Sequence, residues 1–251
     1  AMISNKITKL DNQLFAQPHE VRFCSRCVVS NQRPLIRLDD EGVCSACRFR
    51  EYEMTQVNWV QRGAELRDIL AQYRSPTGAW DVVVPTSGGK DSFYVAHTLK
   101  EYGMRPIGAC FAPFTRTDIG QRNFDAFTQS GIPVIEGHPN RQLHRKLSRL
   151  CLETLGDHWQ PFGWGQMAWP HYVASHLGIP LVFYGENGPS HYHGAKGMAD
   201  LKGMPIELWS DQYYKGWTAR KLFVWGLENT LYMDGDWNEG DFTFYEPPPV
   251  E

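Results

Sequence analysis

Along the chain, the spacing of apolar residues changes character twice. Residues 1–20 mix polar and apolar positions without a period and read as an irregular arm. Residues 21–50, VRFCSRCVVSNQRPLIRLDDEGVCSACRFR, hold too few large apolar side chains for a core of their own. Over 51–78 apolar residues recur at helical spacing until Pro76 and Gly78, which predicts one linking helix. From residue 79 onward, short apolar runs alternate with helical stretches. WDVVVPT (80–86), RPIGACFA (105–112), IPVIEG (132–137) and IPLVFYGE (179–186) read as strands. Helices are expected over 92–103, 120–131, 141–156 and 171–178, the first closed by Gly103.

Strands that are apolar almost throughout and alternate with helices predict an α/β fold, a parallel twisted sheet with helices on both faces. The chain therefore divides into an arm and cysteine-bearing module (1–50), a linking helix (51–78) and an α/β domain (79–251). Beyond residue 190 the periodicity weakens into short helical pieces rich in aromatics and glycine. The tail FTFYEPPPVE closes neither a helix nor a central strand, so the C-terminal part of the domain is expected to be truncated. Internal repeats and low-complexity tracts are absent.

Composition narrows this only a little. The 251 residues are 42% apolar and 21% charged, with a formal net charge of −3, as in an ordinary globular protein. That charge gives no general attraction to polyanions, so no nucleic-acid partner is expected. The N-terminus lacks the basic-then-apolar pattern of a signal peptide, and no run approaches 18 apolar residues, so a cytoplasmic, membrane-free protein is expected.

The cysteines change the picture more. Cys24, Cys27, Cys44 and Cys47 form C-x₂-C-x₁₆-C-x₂-C, two knuckles whose thiolates suit one tetrahedral Zn²⁺. Iron is the alternative occupant. Four sulfur ligands leave no open position, so the metal's role is structural, supplying folding energy to a segment short of apolar residues. Cys110 and Cys151 lack such partners and read as buried apolar residues.

Between the first strand and the first following helix stands SGGKDS: Ser87, Gly88, Gly89, Lys90, Asp91 and Ser92. Glycines there let backbone approach a ligand, and the amides of the helix N-terminus point at it with the positive end of the helix dipole behind them. Hydroxyls on Ser87 and Ser92 and the charge of Lys90 add to a site for phosphate or pyrophosphate. It matches neither G-x-x-x-x-G-K-[ST] nor G-x-G-x-x-G. The plainer reading is a tight turn with Asp91 or Ser92 as helix cap.

Three further stretches carry polar groups with open roles. YGENGPSHYHG (184–194) puts Gly185, Glu186 and Asn187 at a strand's carboxyl end, where Mg²⁺ or a nucleotide could be held, or where a glycine-rich turn is merely solvated. His191 and His193 are a metal pair or two surface histidines. Arg116, Arg122 and Asn123 in FTRTDIGQRN meet substrate phosphates or form a solvated loop. The stretch GDHWQPFGWGQMAWPHYVA (156–174) suits a sugar or base face, or ordinary packing.

SGGKDS resembles the pyrophosphate loop of the N-type ATP pyrophosphatases, the PP-loop superfamily of adenine nucleotide alpha hydrolase-like fold. The resemblance implies ATP and Mg²⁺, attack of a substrate oxygen on the α-phosphorus, and release of pyrophosphate. It also implies that Cys110, Phe111 and Ala112 border the adenine, that Lys90 charges the leaving group and that Asp91 holds metal or orders the loop. The ordered set CSRCVVSNQRPLIRLDDEGVCSACR, SGGKDS, IGQRN and YGENG, spanning about 22–240, is similar to that of the N-acetyl sugar amidotransferases of surface-polysaccharide and flagellin-glycan biosynthesis. These carry a zinc-ribbon-like module before the PP-loop domain and convert an N-acetyl group on a sugar or nucleotide-linked sugar into an acetamidino group. Their members are longer than this chain.

Ammonia in that family comes from glutaminase and cyclase-like subunits, and no cysteine here sits in a Gly-x-Cys-x-Gly elbow, so a separate ammonia donor is expected. Two rivals stand beside this reading. A PP-loop tRNA thiolase would use Cys110 as a reactive thiol, and a non-catalytic zinc-ribbon scaffold would bind nucleotide as a signal.

Overall fold

The computed structural model describes residues 18–33, 35–186, 188–192, 194, 201, 203–205, 213–230, 232–235 and 237–248. Three strands, β1 (Val82–Pro85), β2 (Pro106–Phe111) and β3 (Val134–Gly137), form a parallel sheet in the order β1-β2-β3. Val83 pairs with Ile107, and Ala109 with Ile135. The run expected as a fourth strand at 179–186 lies parallel beside β1, but it pairs only at Val83 and Val182. There the Val83 amide donates to the Leu181 carbonyl and the Phe183 amide to the Val83 carbonyl, each at 2.9 Å. The next donor along β1 toward this run would be residue 85, and proline has no N–H, so the ladder stops.

Strand alternation sends β1 side chains to two separate cores, while β2 feeds one of them. Val82 and Val84 pack with Leu99 and Phe127, under α2 (Trp59–Tyr73), α3 (Lys90–Glu101) and α4 (Asp118–Gln129). Val83, Ile107, Ala109 and Phe111 pack on the other face, under α5 (Arg141–Leu155) and α6 (Gln160–Leu177). The chain thus builds outward from β1 with helices on one face, changes face after β3, and returns on the far side of β1. That reversal puts a topological switch point at the carboxyl ends of β1 and the 181–183 run, the place where open α/β sheets take ligands.

Helix ends follow local chemistry. Asn140 caps α5 by accepting from the Gln142 amide at 3.1 Å, and Gly156 closes it in the left-handed region at φ 72°. In place of the single linking helix expected over 51–78 there are two, α1 (Ser45–Thr55) and α2. The break falls where Gln56 ends α1 and Asn58 caps α2, its side chain accepting from Gln61 at 3.1 Å.

Helix α6 starts eleven residues before the helix expected at 171–178 and absorbs most of the Trp-Gly-Pro stretch. It is buried almost all round, between the sheet and the C-terminal segment, so it has no polar face to create a period. Gly165 serves packing, since a Cβ there would overlap the Phe111 ring, and a Cβ on Gly137 of β3 would overlap Trp169 of the helix. The segment beyond residue 213 completes this core with α8 (Ala219–Asn229), a 3₁₀ turn (Glu239–Phe244) and the buried Phe223, Phe242 and Tyr245. α7 is the short helix Gly188–His191.

His144 lies inside this core, its Nδ1 3.1 Å from the Tyr245 hydroxyl, and burial lowers its pKa to about 4. Its charged form is thus disfavoured only in the folded chain, so stability is full above the unfolded pKa near 6.5 and is lost as pH falls toward 4. The loss expected from this residue is about 2 kcal/mol between pH 7 and pH 5. Urea titrations at these two pH values should show that loss in the parent chain and a much smaller one in His144→Asn; equal losses would refute the assignment.

Candidate functional site: a phosphate loop, its partners and a four-cysteine centre

The loop after β1 is held by its own hydroxyls. Thr86 Oγ1 accepts from the Gly88 amide at 3.1 Å and donates to Ser92 Oγ at 2.9 Å, and Ser92 donates to the Gly89 carbonyl at 3.0 Å. Ser92 is therefore a buried staple of the loop, while Ser87 is exposed. Thr86 escaped the sequence reading because it looks like the last residue of an apolar strand. Gly88 has φ 79°, and a Cβ on it would stand 2.7 Å from Phe124 Cα. Two constraints thus demand glycine there, the left-handed backbone and the backbone of α4 directly behind the loop.

Gly89 is the N-cap of α3 and offers no side chain to the first-turn amides, which leaves the amide end of the helix to an incoming anion. Lys90 and Asp91 stand at the surface and pair with each other at 2.6 Å, Nζ to Oδ1. The Asp91 carboxylate, aided by charge on Tyr192 and Glu186, raises the Lys90 pKa and keeps it cationic. Glu186 thus belongs to the same electrostatic neighbourhood as the loop. Gly185 runs along the first turn of α3, where a Cβ would lie 3.4 Å from Asp91 Cβ. The 87–92 and 185–186 residues singled out in the sequence are in this way brought together; Asn187 and His193 lie outside the described residues.

Cys110, Phe111 and Ala112 are all buried. The Phe111 ring belongs to the core, edge-on to Phe162 at 5.4 Å, so only backbone at the end of β2 remains to border a ligand. Cys110 points to the opposite face, with Glu136 Oε1 at 3.8 Å and Arg116 Nη2 at 3.5 Å. Burial, then the Glu136 charge, pushes its thiol up to about 12. Arg116 pairs with Glu136 and stacks on Phe124 at 4.1 Å, and His138 Nε2 lies 3.5 Å from Glu136. Glu136 and His138 were not singled out in the sequence, where they look like a strand end and its turn.

The four cysteines converge. Their sulfur atoms lie within 4.8 Å of one another, with Cys27 to Cys44 at 3.6 Å and Cys24 to Cys47 at 4.0 Å. A tetrahedral ion with metal–sulfur bonds near 2.3 Å needs an edge of about 3.8 Å, so the set fits a metal ion such as zinc. Among the described residues it is the one group of three or more His, Cys, Asp or Glu that could hold a metal. Burial opposes ionisation of Cys24, but amide donors from Cys27, Arg26 and Cys44 outweigh it and bring the thiol down to about 6. Burial and the neighbouring thiols raise Cys47.

Apolar support is thin, with Ile36 and Val43 the buried non-cysteine members of the local cluster. His191 is committed to Glu53, Nε2 to Oε1 at 3.2 Å, rather than to a metal. Among the described residues, no helix is long and apolar enough to cross a membrane. In comparisons of the whole sequence, no protein-family model matches and no curated protein matches.

Proposed function

We propose that this chain is a PP-loop ATP pyrophosphatase that works as an N-acetyl sugar amidotransferase in the cytoplasm. The observation that carries the reading is the loop 86–92 at the reversal point of the sheet, glycine-bound to α4 and open at its amide end, with Gly185 and Glu186 beside it. The family likeness of the four motifs supplies the acceptor.

An acetamide is a poor electrophile with a poor leaving group. Attack of its oxygen on the α-phosphorus of ATP expels pyrophosphate and leaves an imidate bearing AMP. Ammonia then adds to the imidate carbon and AMP departs, so oxygen is replaced by NH with the carbon's oxidation state unchanged. The amides of the loop and Lys90 take the charge of pyrophosphate as it leaves. Asp91 and Glu186 are the carboxylates that would hold Mg²⁺, which supplies further charge neutralisation when bound. A glutaminase partner with a cyclase-like subunit supplies ammonia.

Cys110 favours this reading over a tRNA thiolase. A reactive thiol is accessible and of low pKa, whereas this one is buried and raised. The test is mass spectrometry of acetamido sugars and their nucleotide-linked forms after incubation with ATP, Mg²⁺ and ammonium. The expected product is lighter by about one mass unit, with AMP and pyrophosphate formed in step. Unchanged masses across a broad panel would refute the reading, and equal use of glutamine by the purified chain would refute the separate donor.

A further inference from the structure

The four-cysteine module and the loop site are joined through one buried carboxylate. Glu53 lies on α1, the helix that begins directly after Cys44, and is 7% exposed, unusual for a glutamate on a short surface helix. One oxygen accepts from Arg50 at 3.0 Å and the other faces His191 Nε2 at 3.2 Å. The His191 ring also approaches Phe49, with centroids 6.0 Å apart.

Around this pair the 188–194 segment is seated on the module by backbone. Gly194 fits against the first turn of α1 so closely that a Cβ would overlap the Ser45 carbonyl. Arg33 of the module lies over the Tyr192 ring at 5.3 Å. The segment is a unit in itself, with the Tyr192 amide bonded to the Gly188 carbonyl and the Gly194 amide to the Ser190 carbonyl, both at 2.9 Å. Shortly before it in the chain, Gly185 lies against the first turn of α3 at Asp91, and the charge of Glu186 acts on Lys90. The helix that begins at the four-cysteine cluster therefore touches a short segment that follows closely on Gly185, the residue packed against α3.

We propose that Glu53 is a positioning residue: through His191 it fixes the 188–192 turn against the four-cysteine module, so that the module sets the placement of Glu186 at the nucleotide site. The proposal rests on reading 86–92 and 185–186 as that site. A carboxylate needed only to stabilise α1 would be served by Arg50 at the surface; burial against His191 is what a tie between two segments requires.

Glu53→Gln and His191→Ala, with their double variant, test this in the full chain. His191 is half-exposed, so its removal leaves the fold intact. Calorimetric titration with Mg·ATP is expected to show binding weakened roughly 3- to 30-fold in each single variant. The double variant should be no weaker than the worse single one, because both break one tie. Hydrogen exchange at the Tyr192 and Gly194 amides should quicken in all three, with metal content unchanged. Additive losses, or parent-like exchange at the Tyr192 and Gly194 amides, would overturn the tie. If the parent chain itself bound no Mg·ATP, the nucleotide reading would fall, while the exchange result would still decide whether Glu53 holds the segment.

Discussion

Lys90→Ala should lower pyrophosphate release by about 10²- to 10³-fold, the scale set by removing one preorganised charge from a developing anion. Thermal stability should scarcely move, since the Lys90 side chain is 87% exposed and its one ion pair, to the neighbouring Asp91, is a surface pair. Lys90→Arg should recover part of the rate, because it restores charge but not the compact ammonium. Continuous detection of pyrophosphate in the presence of ATP, Mg²⁺, ammonium and an acetamido sugar measures the effect. A parent-like rate in the alanine variant would remove Lys90 from the chemistry.

Cys44→Ser should abolish stoichiometric metal binding and unfold the module. Cys44 is fully buried, caps α1 by accepting from the Cys47 amide at 3.4 Å, and is one of the four converging sulfurs that could hold a metal. Metal binding in such modules is folding free energy, on the order of 10 kcal/mol, and Ile36 and Val43 cannot replace it. Elemental analysis should find the metal lost, and limited proteolysis should cut within 18–55 while the sheet stays protected. Cys151→Ser is the control: its thiol is buried in the α5–α6 core away from the cluster, so metal content should stay at the parent level. Retention of full metal content by Cys44→Ser would refute the four-thiol centre.

Much of the region from 82 to 155 was legible from spacing alone, because each strand and helix there carries its own start and stop signals. Helix α4, for instance, begins at Thr117, which caps it through the Gly120 amide at 3.0 Å. What was illegible had a physical cause in each case. Helix α6 is wrapped by apolar neighbours, so its prolines and glycines looked like breakers although Pro161 sits in its first turn and Gly165 makes room for Phe111. The run at 179–186 has strand composition, but its ladder is cut short by a proline on its partner. In the site, SGGKDS stood out because its six residues are consecutive and lead from a strand into a helix. Thr86 did not, since it looks like the end of an apolar strand, and neither did Glu136 and Glu53, since each acquires its role from residues far away in the chain: Glu53 from His191, Glu136 from Arg116 and Cys110.

Pro85 has a larger effect than trimming a ladder. Any other residue at this position could offer the Phe183 carbonyl an N–H and extend the sheet by one rung toward the loop. The imino acid forbids that rung, so β1 and its neighbour share no hydrogen bond beyond Val83 at the end where Thr86 begins the turn. The parting of the two strands at their carboxyl ends is thereby written into the covalent structure of one strand residue, and it needs no ligand to keep it from zipping shut.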